Sequence, residues 1–116
     1  MHGEPGRFRQ KIVPAREIAQ MLVDPILEDM PLRDGERVLL FVNGMGATPL
    51  MELYVMVNST LKVLGASGVK VARYLTGSYV TSLEMAGCSI TVTAADASTL
   101  ALWDAPVHTA ALRWGA

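Results

Sequence analysis

One stretch constrains this chain more than any other: Val38 to Tyr54, VLLFVNGMGATPLMELY, where an apolar run breaks at a glycine-rich turn and resumes with helical spacing. Val38-Leu39-Leu40-Phe41-Val42 is too short for a helix and rich in strand formers, so it reads as a strand buried on both faces. Asp34-Gly35 marks the turn into it. In Asn43-Gly44-Met45-Gly46-Ala47 the two glycines permit backbone conformations that other residues avoid. Thr48 suits an N-cap, Pro49 the first helical position, and Glu52 the first turn, where the helix dipole favours a carboxylate. Leu50, Leu53, Tyr54, Val57, Leu61 and Leu64 then recur at helical spacing, so one face of this helix is expected to be core.

A glycine-rich loop between a strand and a helix invites a phosphate-binding reading, because helix N-termini attract anions. Asn43-Gly44-Met45-Gly46 lacks the Gly-Lys-Ser/Thr of a P-loop, and Pro49 stands where a dinucleotide fingerprint has its third glycine. The spacing therefore favours a tight structural connection over an anion site.

At 116 residues the chain forms one domain at most, and with 51% hydrophobic and 18% charged residues it is expected to fold. A formal net charge of -1 argues against an electrostatic nucleic-acid or membrane partner. Neither a signal peptide nor an apolar stretch of transmembrane length is evident. The single cysteine, Cys88, has no partner for an internal disulfide, which points to a cytoplasmic setting and a small core residue rather than a nucleophile.

The opening Met1-His2-Gly3-Glu4-Pro5-Gly6 reads as a loop. Position alone makes His2 a disordered terminal residue, yet a loop held by Gly and Pro is also how a reactive side chain is presented to a cleft. Residues 9–13 read as a strand, and Pro14-Ala15-Arg16-Glu17 starts a helix with Ile18, Met21, Leu22 and Ile26 apolar. Pro25 is expected to end that helix near Val23 or to kink it before Ile26 and Leu27.

Further strands are expected near 37–43, 69–75 and 89–95, with a helix stop at Gly65-Ala66-Ser67-Gly68. Tyr79 to Met85 is ambiguous between a helical turn and an irregular segment. The hydroxyls of Ser78, Tyr79, Thr81 and Ser82 read as backbone caps before site residues. Asp96 suits the cap of a short helix, and Trp103 and Trp114 read as cover for a core or interface rather than an aromatic cage. His108 has no companion ligands at metal spacing. Strands interleaved with helices imply an α/β domain, two layers with a mixed sheet.

HGEPG at residues 2 to 6, NGMGATPLMELY at 43 to 54, YVTSLEMAGCSIT at 79 to 91 and LALWDAPVHTAALRWG at 100 to 115 stand in a telling order. They resemble successive signatures of the dihydroxyacetone (glycerone) kinase family, in the C-terminal half of its dihydroxyacetone-binding subunit. The resemblance implies that His2 forms a covalent hemiaminal with the substrate carbonyl carbon. Around His2 stand the loop residues Gly3, Glu4 and Gly6: the glycines would allow the loop to approach substrate and core closely, and Glu4, on our own reading and not on the resemblance, would orient the loop.

The resemblance also implies that residues 1–116 are the C-terminal substrate-binding domain of a larger subunit. The N-terminal half, with an acid/base aspartate and a second histidine, would lie elsewhere. On that expectation the chain is a fragment, a split gene product or a decayed relative, and Pro25 departs from the family's helix. The implied reaction is phosphoryl transfer to dihydroxyacetone. This chain would bind no cofactor or metal; ATP or ADP with Mg2+ would sit on a helical partner subunit or domain. A homodimer is expected, with no nucleic acid and no membrane. The competing readings are a non-catalytic dihydroxyacetone-binding or assembly module and an inactive fragment.

Overall fold

A computed structural model describes residues 14–30, 32, 36–83 and 85–115. The elements in order are α1 (Ala15–Asp29), β1 (Arg37–Gly44), α2 (Leu50–Ala66), β2 (Lys70–Gly77), β3 (Cys88–Ala94), α3 (Ala97–Asp104), β4 (Val107–His108) and β5 (Arg113–Trp114). The expected strand at 9–13 lies outside the described residues.

The apolar run of β1 becomes the centre of a three-stranded mixed sheet of order β2-β1-β3. β2 runs parallel to β1, as its connection through α2 requires, and β3 runs antiparallel. Alternation then sorts β1 by face. Val38, Leu40 and Val42 point to the main core, where they meet Ala19 and Val23 of α1 and Leu53, Met56, Val57, Val63 and Leu64 of α2. Leu39 points the other way, into a smaller cluster with Ala95 and Leu100 against which Ala72 and Trp103 pack. So α1 and α2 form the helical layer, and short α3 covers one end of the opposite face. Burial on both faces of β1 holds as read from its sequence.

Two local expectations change and one is narrowed. Of the two outcomes open at Pro25, α1 does not end near Val23; it continues through Pro25 to Asp29, and Ile26, Leu27 and Met30 pack against the core beyond the proline. Its buried line is Ala19 and Val23, with Ile18 and Ile26 packed against the core and Met21 and Leu22 only partly covered. On α2, Leu50 and Tyr54 are about half exposed, at 55% and 51%, while Met56, Ser59, Thr60 and Val63 take the inner face. The stop after α2 is as expected: Gly68 adopts φ +80°, and the N–H of Val69 donates to the Leu64 carbonyl at 3.0 Å.

Two ties fix the C-terminal cover. Arg73 of β2 makes a two-point contact with Asp104 at the end of α3, both at 2.9 Å. Trp103 and Trp114 pack with centroids 5.6 Å apart, and the Trp114 indole N–H donates to the Ala105 carbonyl at 2.9 Å, so the tryptophans act as cover for each other. Asp96 caps α3 by accepting from the Thr99 N–H at 2.8 Å and from the hydroxyls of Ser98 and Thr99 at 2.9 Å. The backbone bond from Thr99, helped by the two hydroxyls, lowers the Asp96 carboxyl from 3.8 to about 2.

A depressed carboxyl stabilises the fold above its ordinary value and loses that contribution as pH falls through its folded value. Asp96→Ala is therefore expected to lower the melting temperature at neutral pH, with the deficit shrinking as pH falls from 3.8 to about 2. A pH-independent deficit in thermal melts would show that the carboxylate is not the stabilising group.

Candidate functional site

In open α/β sheets, ligands bind outside the carboxyl ends of the parallel strands. In this chain that edge holds two loops, Met45–Pro49 after β1 and Ser78–Gly87 after β2. The second is irregular over its described residues, which resolves the Tyr79 to Met85 ambiguity in favour of a non-helical path.

Asn43, the next-to-last residue of β1, is buried to 2% exposure and holds the second loop. Its Oδ1 accepts from the N–H groups of Tyr79 and Val80, both at 2.9 Å, and its Nδ2 donates to the Val80 carbonyl at 2.6 Å. Such a buried amide, paired on both its oxygen and its nitrogen, fixes a loop as a backbone ladder would. Tyr79 then lies against Phe41, centroids 5.9 Å apart, on the sheet face that α3 leaves open.

Thr48 makes the second clamp. Its hydroxyl donates to the Gly87 carbonyl at 2.8 Å and accepts from the Gly87 N–H at 2.6 Å. It does not cap α2, as its sequence position had indicated; Pro49 stands at the N-cap in an extended conformation, and its carbonyl receives the N–H groups of Glu52 and Leu53. Sequence reasoning missed both clamps because their partners lie 36 to 39 residues away. The one local signal was a polar Asn and a Thr bracketing a glycine pair.

The glycines serve close approach. A Cβ on Gly46 would stand 1.6 Å from the Ser82 carbonyl oxygen, and one on Gly44 would stand 2.6 Å from Leu53 Cδ1. Three backbone donors of the loop are committed within the protein: Met45 N–H to Gly87, Ala47 N–H to Met85 and Thr48 N–H to Met45. A phosphate cradle needs such donors free. The structural reading of this glycine pair is the one that the geometry supports.

Of the hydroxyls singled out in the sequence, Tyr79 and Ser82 are half-buried, and Ser78 and Thr81 are exposed. The Ser82 Oγ has no hydrogen-bond partner among the described residues although its atom is buried. Cys88 is half-buried beside the main core, and burial pushes its thiol up, so it is a poor nucleophile. His2, Gly3, Glu4 and Gly6 lie outside the described residues, and so do their distances to these loops.

The loop clamp carries a prediction. Asn43→Ala would strand the N–H groups of Tyr79 and Val80, at about 1–3 kcal/mol for each group that stays buried. Chemical denaturation is expected to show a loss of that order, and hydrogen exchange a selective rise at residues 79 and 80. Unchanged exchange there would mean that the loop is held by other contacts.

Compared with known proteins, residues 1–111 match the family model described as the Dak1 domain. The chain is 49% identical over 92 residues to "PTS-dependent dihydroxyacetone kinase 1, dihydroxyacetone-binding subunit DhaK" of Listeria innocua, covering 79% of this chain and 28% of that protein. It is 38% identical over 139 aligned residues to "PEP-dependent dihydroxyacetone kinase, dihydroxyacetone-binding subunit DhaK" of Escherichia coli, covering 99% of this chain and 39% of that protein. A solved structure described as "Regulation of the dha operon of Lactococcus lactis" superposes with a TM-score of 0.84 at 31% identity, over 90% of this chain and 34% of that one. The chain thus spans well under half the length of each.

Proposed function

The chain belongs to the Dak1 domain family, and from that premise we propose that it is the substrate-capturing part of a dihydroxyacetone kinase. The observation that carries the reading is the family match itself, which runs from residue 1 to 111 and so includes HGEPG at residues 2 to 6 together with the clamped loops.

In this reading a neutral imidazole nitrogen of His2 adds to the carbonyl carbon of dihydroxyacetone. The C–N bond forms as the carbonyl π pair moves to oxygen, which takes up a proton, while the ring gives up its N–H proton; the product is a neutral hemiaminal. A small ketone offers little surface to bind, and a covalent tether fixes one of its hydroxyls for phosphoryl transfer. Gly3 and Gly6 let the loop approach the site, and Glu4 orients the loop. The clamped edge at Asn43 and Thr48 is the rigid platform on which such a loop would rest, because a site on fixed loops keeps its geometry.

The donor, ATP or ADP with Mg2+, belongs to a helical partner subunit or domain, and the acid/base aspartate to the N-terminal half of the same subunit. The commitment of the N–H groups of Met45, Ala47 and Thr48 within the protein is in keeping with this assignment. When bound on the partner, the nucleotide supplies the phosphoryl group. This chain's own part is to hold and orient the acceptor.

A second reading, a dihydroxyacetone-binding module without catalysis, is favoured by one observation: the Lactococcus lactis structure with the same fold is described in terms of operon regulation. The two readings share ketone capture and part at phosphoryl transfer.

Incubation with dihydroxyacetone is expected to add the mass of one ketone in native mass spectrometry, and His2→Ala to abolish the gain without altering the circular dichroism spectrum. Protonated imidazole has no lone pair to offer, so the adduct should fall away below a pH of about 6.5. An adduct that survives His2→Ala would overturn the role of His2. With the N-terminal half, the nucleotide partner and ATP supplied, dihydroxyacetone phosphate is expected; adduct without product would favour the module.

A further inference from the structure

The sheet face turned away from α1 and α2 is covered at one end only. There Leu39 of β1 is enclosed by Ala95 and Leu100, with Ala72 and Trp103 packed around them. Phe41, two residues on and on the same face, belongs to neither core cluster and is half-buried. Its cross-strand neighbours are Leu75 on β2 and Thr91 on β3, and Ser89 stands opposite Asn43 nearer the carboxyl end of β1. Arg73, which β2 presents beside Leu39, is paired with Asp104. The group around Phe41 is thus aromatic, aliphatic and hydroxylic, with no charged member.

Tyr79 is seated on this surface at three points. Its N–H donates to the Asn43 Oδ1 at 2.9 Å, its ring leans on Phe41 with centroids 5.9 Å apart and planes at 52°, and a Cβ on Gly77 would stand 2.7 Å from its Cε2. Glycine at 77 leaves the room that the ring occupies. The ring is placed while its hydroxyl is unspent: among the described residues none hydrogen-bonds the phenol, nor the hydroxyls of Ser89 and Thr91. Backbone groups that the loop's own hydroxyls were expected to cap are taken by Asn43 and Thr48 instead, which releases the Tyr79 phenol.

An aromatic ring edged by neutral hydroxyls suits one class of ligand. The C–H faces of a small polyhydroxy compound pack against a ring, and its hydroxyls trade hydrogen bonds with groups that both donate and accept. An anion would meet no cation here, and a hydrocarbon would strand the hydroxyls. We infer that the open sheet face at Phe41 and Tyr79 is the seat of a neutral, short-chain polyhydroxy ketone. The Tyr79 phenol donates to one of its hydroxyls, and Ser89 and Thr91 bond the other end. This deepens the ketone-capturing reading and rests on it: His2 would hold the carbonyl carbon, and this face the hydroxyls on either side.

The test uses the full chain with its three tyrosines carbon-13-labelled in the ring. Tyr54 lies on α2 and Tyr74 is the register partner of Leu40, so both report from the helical side of the sheet. Dihydroxyacetone is expected to move the Tyr79 resonance saturably and to leave those of Tyr54 and Tyr74 in place. Glycerol, which has hydroxyls and no carbonyl, moves Tyr79 at higher concentration, and inorganic phosphate does not. Tyr79→Phe keeps the ring in its seat and the melting temperature unchanged, and weakens dihydroxyacetone binding about tenfold in calorimetry. Thr91→Val weakens it less.

A Tyr79 resonance that stays fixed, three tyrosines that move alike, a response to phosphate, or wild-type affinity in both variants would each overturn the assignment. A His2-dependent mass gain with Tyr79 unmoved removes the face and leaves ketone capture standing. A saturable glycerol response without any ketone adduct keeps the face and removes the role of His2.

Discussion

Burial of β1 on both faces and both edges is the constraint from which the rest of the structure follows. Its backbone is paired in parallel with β2 and antiparallel with β3, and its side chains divide between the two clusters. A strand so enclosed can end in only one kind of place, at the sheet edge where its last polar residue must find partners indoors. Asn43 does so by taking over the backbone of the next loop. The candidate site is in this sense a by-product of satisfying a buried amide.

Periodicity made the frame legible. Val38 to Val42 could be recognised as a two-sided strand because its apolar run has no polar alternation, and the observed β1, β2 and β3 fall within a residue or two of where the spacing put them. α3 was legible through Asp96, whose capping is local. Thr48 misled because an N-cap and a cross-loop clamp need the same side chain, and only the position of Gly87 decides between them. Leu50 and Tyr54 misled for a related reason: hydrophobicity marks a face as needing cover without saying that this chain supplies it. Pro25 was judged by its lost hydrogen bond and its crowding of the preceding turn, and α1 nonetheless runs on to Asp29 with Ile26 and Leu27 packed against the core.

Of the site, the glycine pair was visible from the outset and its purpose was not. Gly44 and Gly46 suit phosphate, but they also suit close packing, and the positions of Leu53 against Gly44 and of the Ser82 backbone against Gly46 select the second. The proposed substrate-binding segment was legible only through HGEPG, because a histidine near a terminus has no periodicity to give it away. The family match supplies its context, and the clamped edge supplies a surface on which such a loop can act.

The clamps also have a bearing on how the molecule is made. The bonds that close the site join residues 36, 37 and 39 positions apart, and the last partner, Gly87, is synthesised well after β1 and α2. Contacts of that separation repay their loop-closure cost late. A nascent chain that has emerged only as far as β2 holds a strand, a helix and a second strand, with Asn43 and Thr48 still turned to water. Asn43 acquires its role when residues 79 and 80 follow β2, and Thr48 only when the chain reaches Gly87 at the threshold of β3.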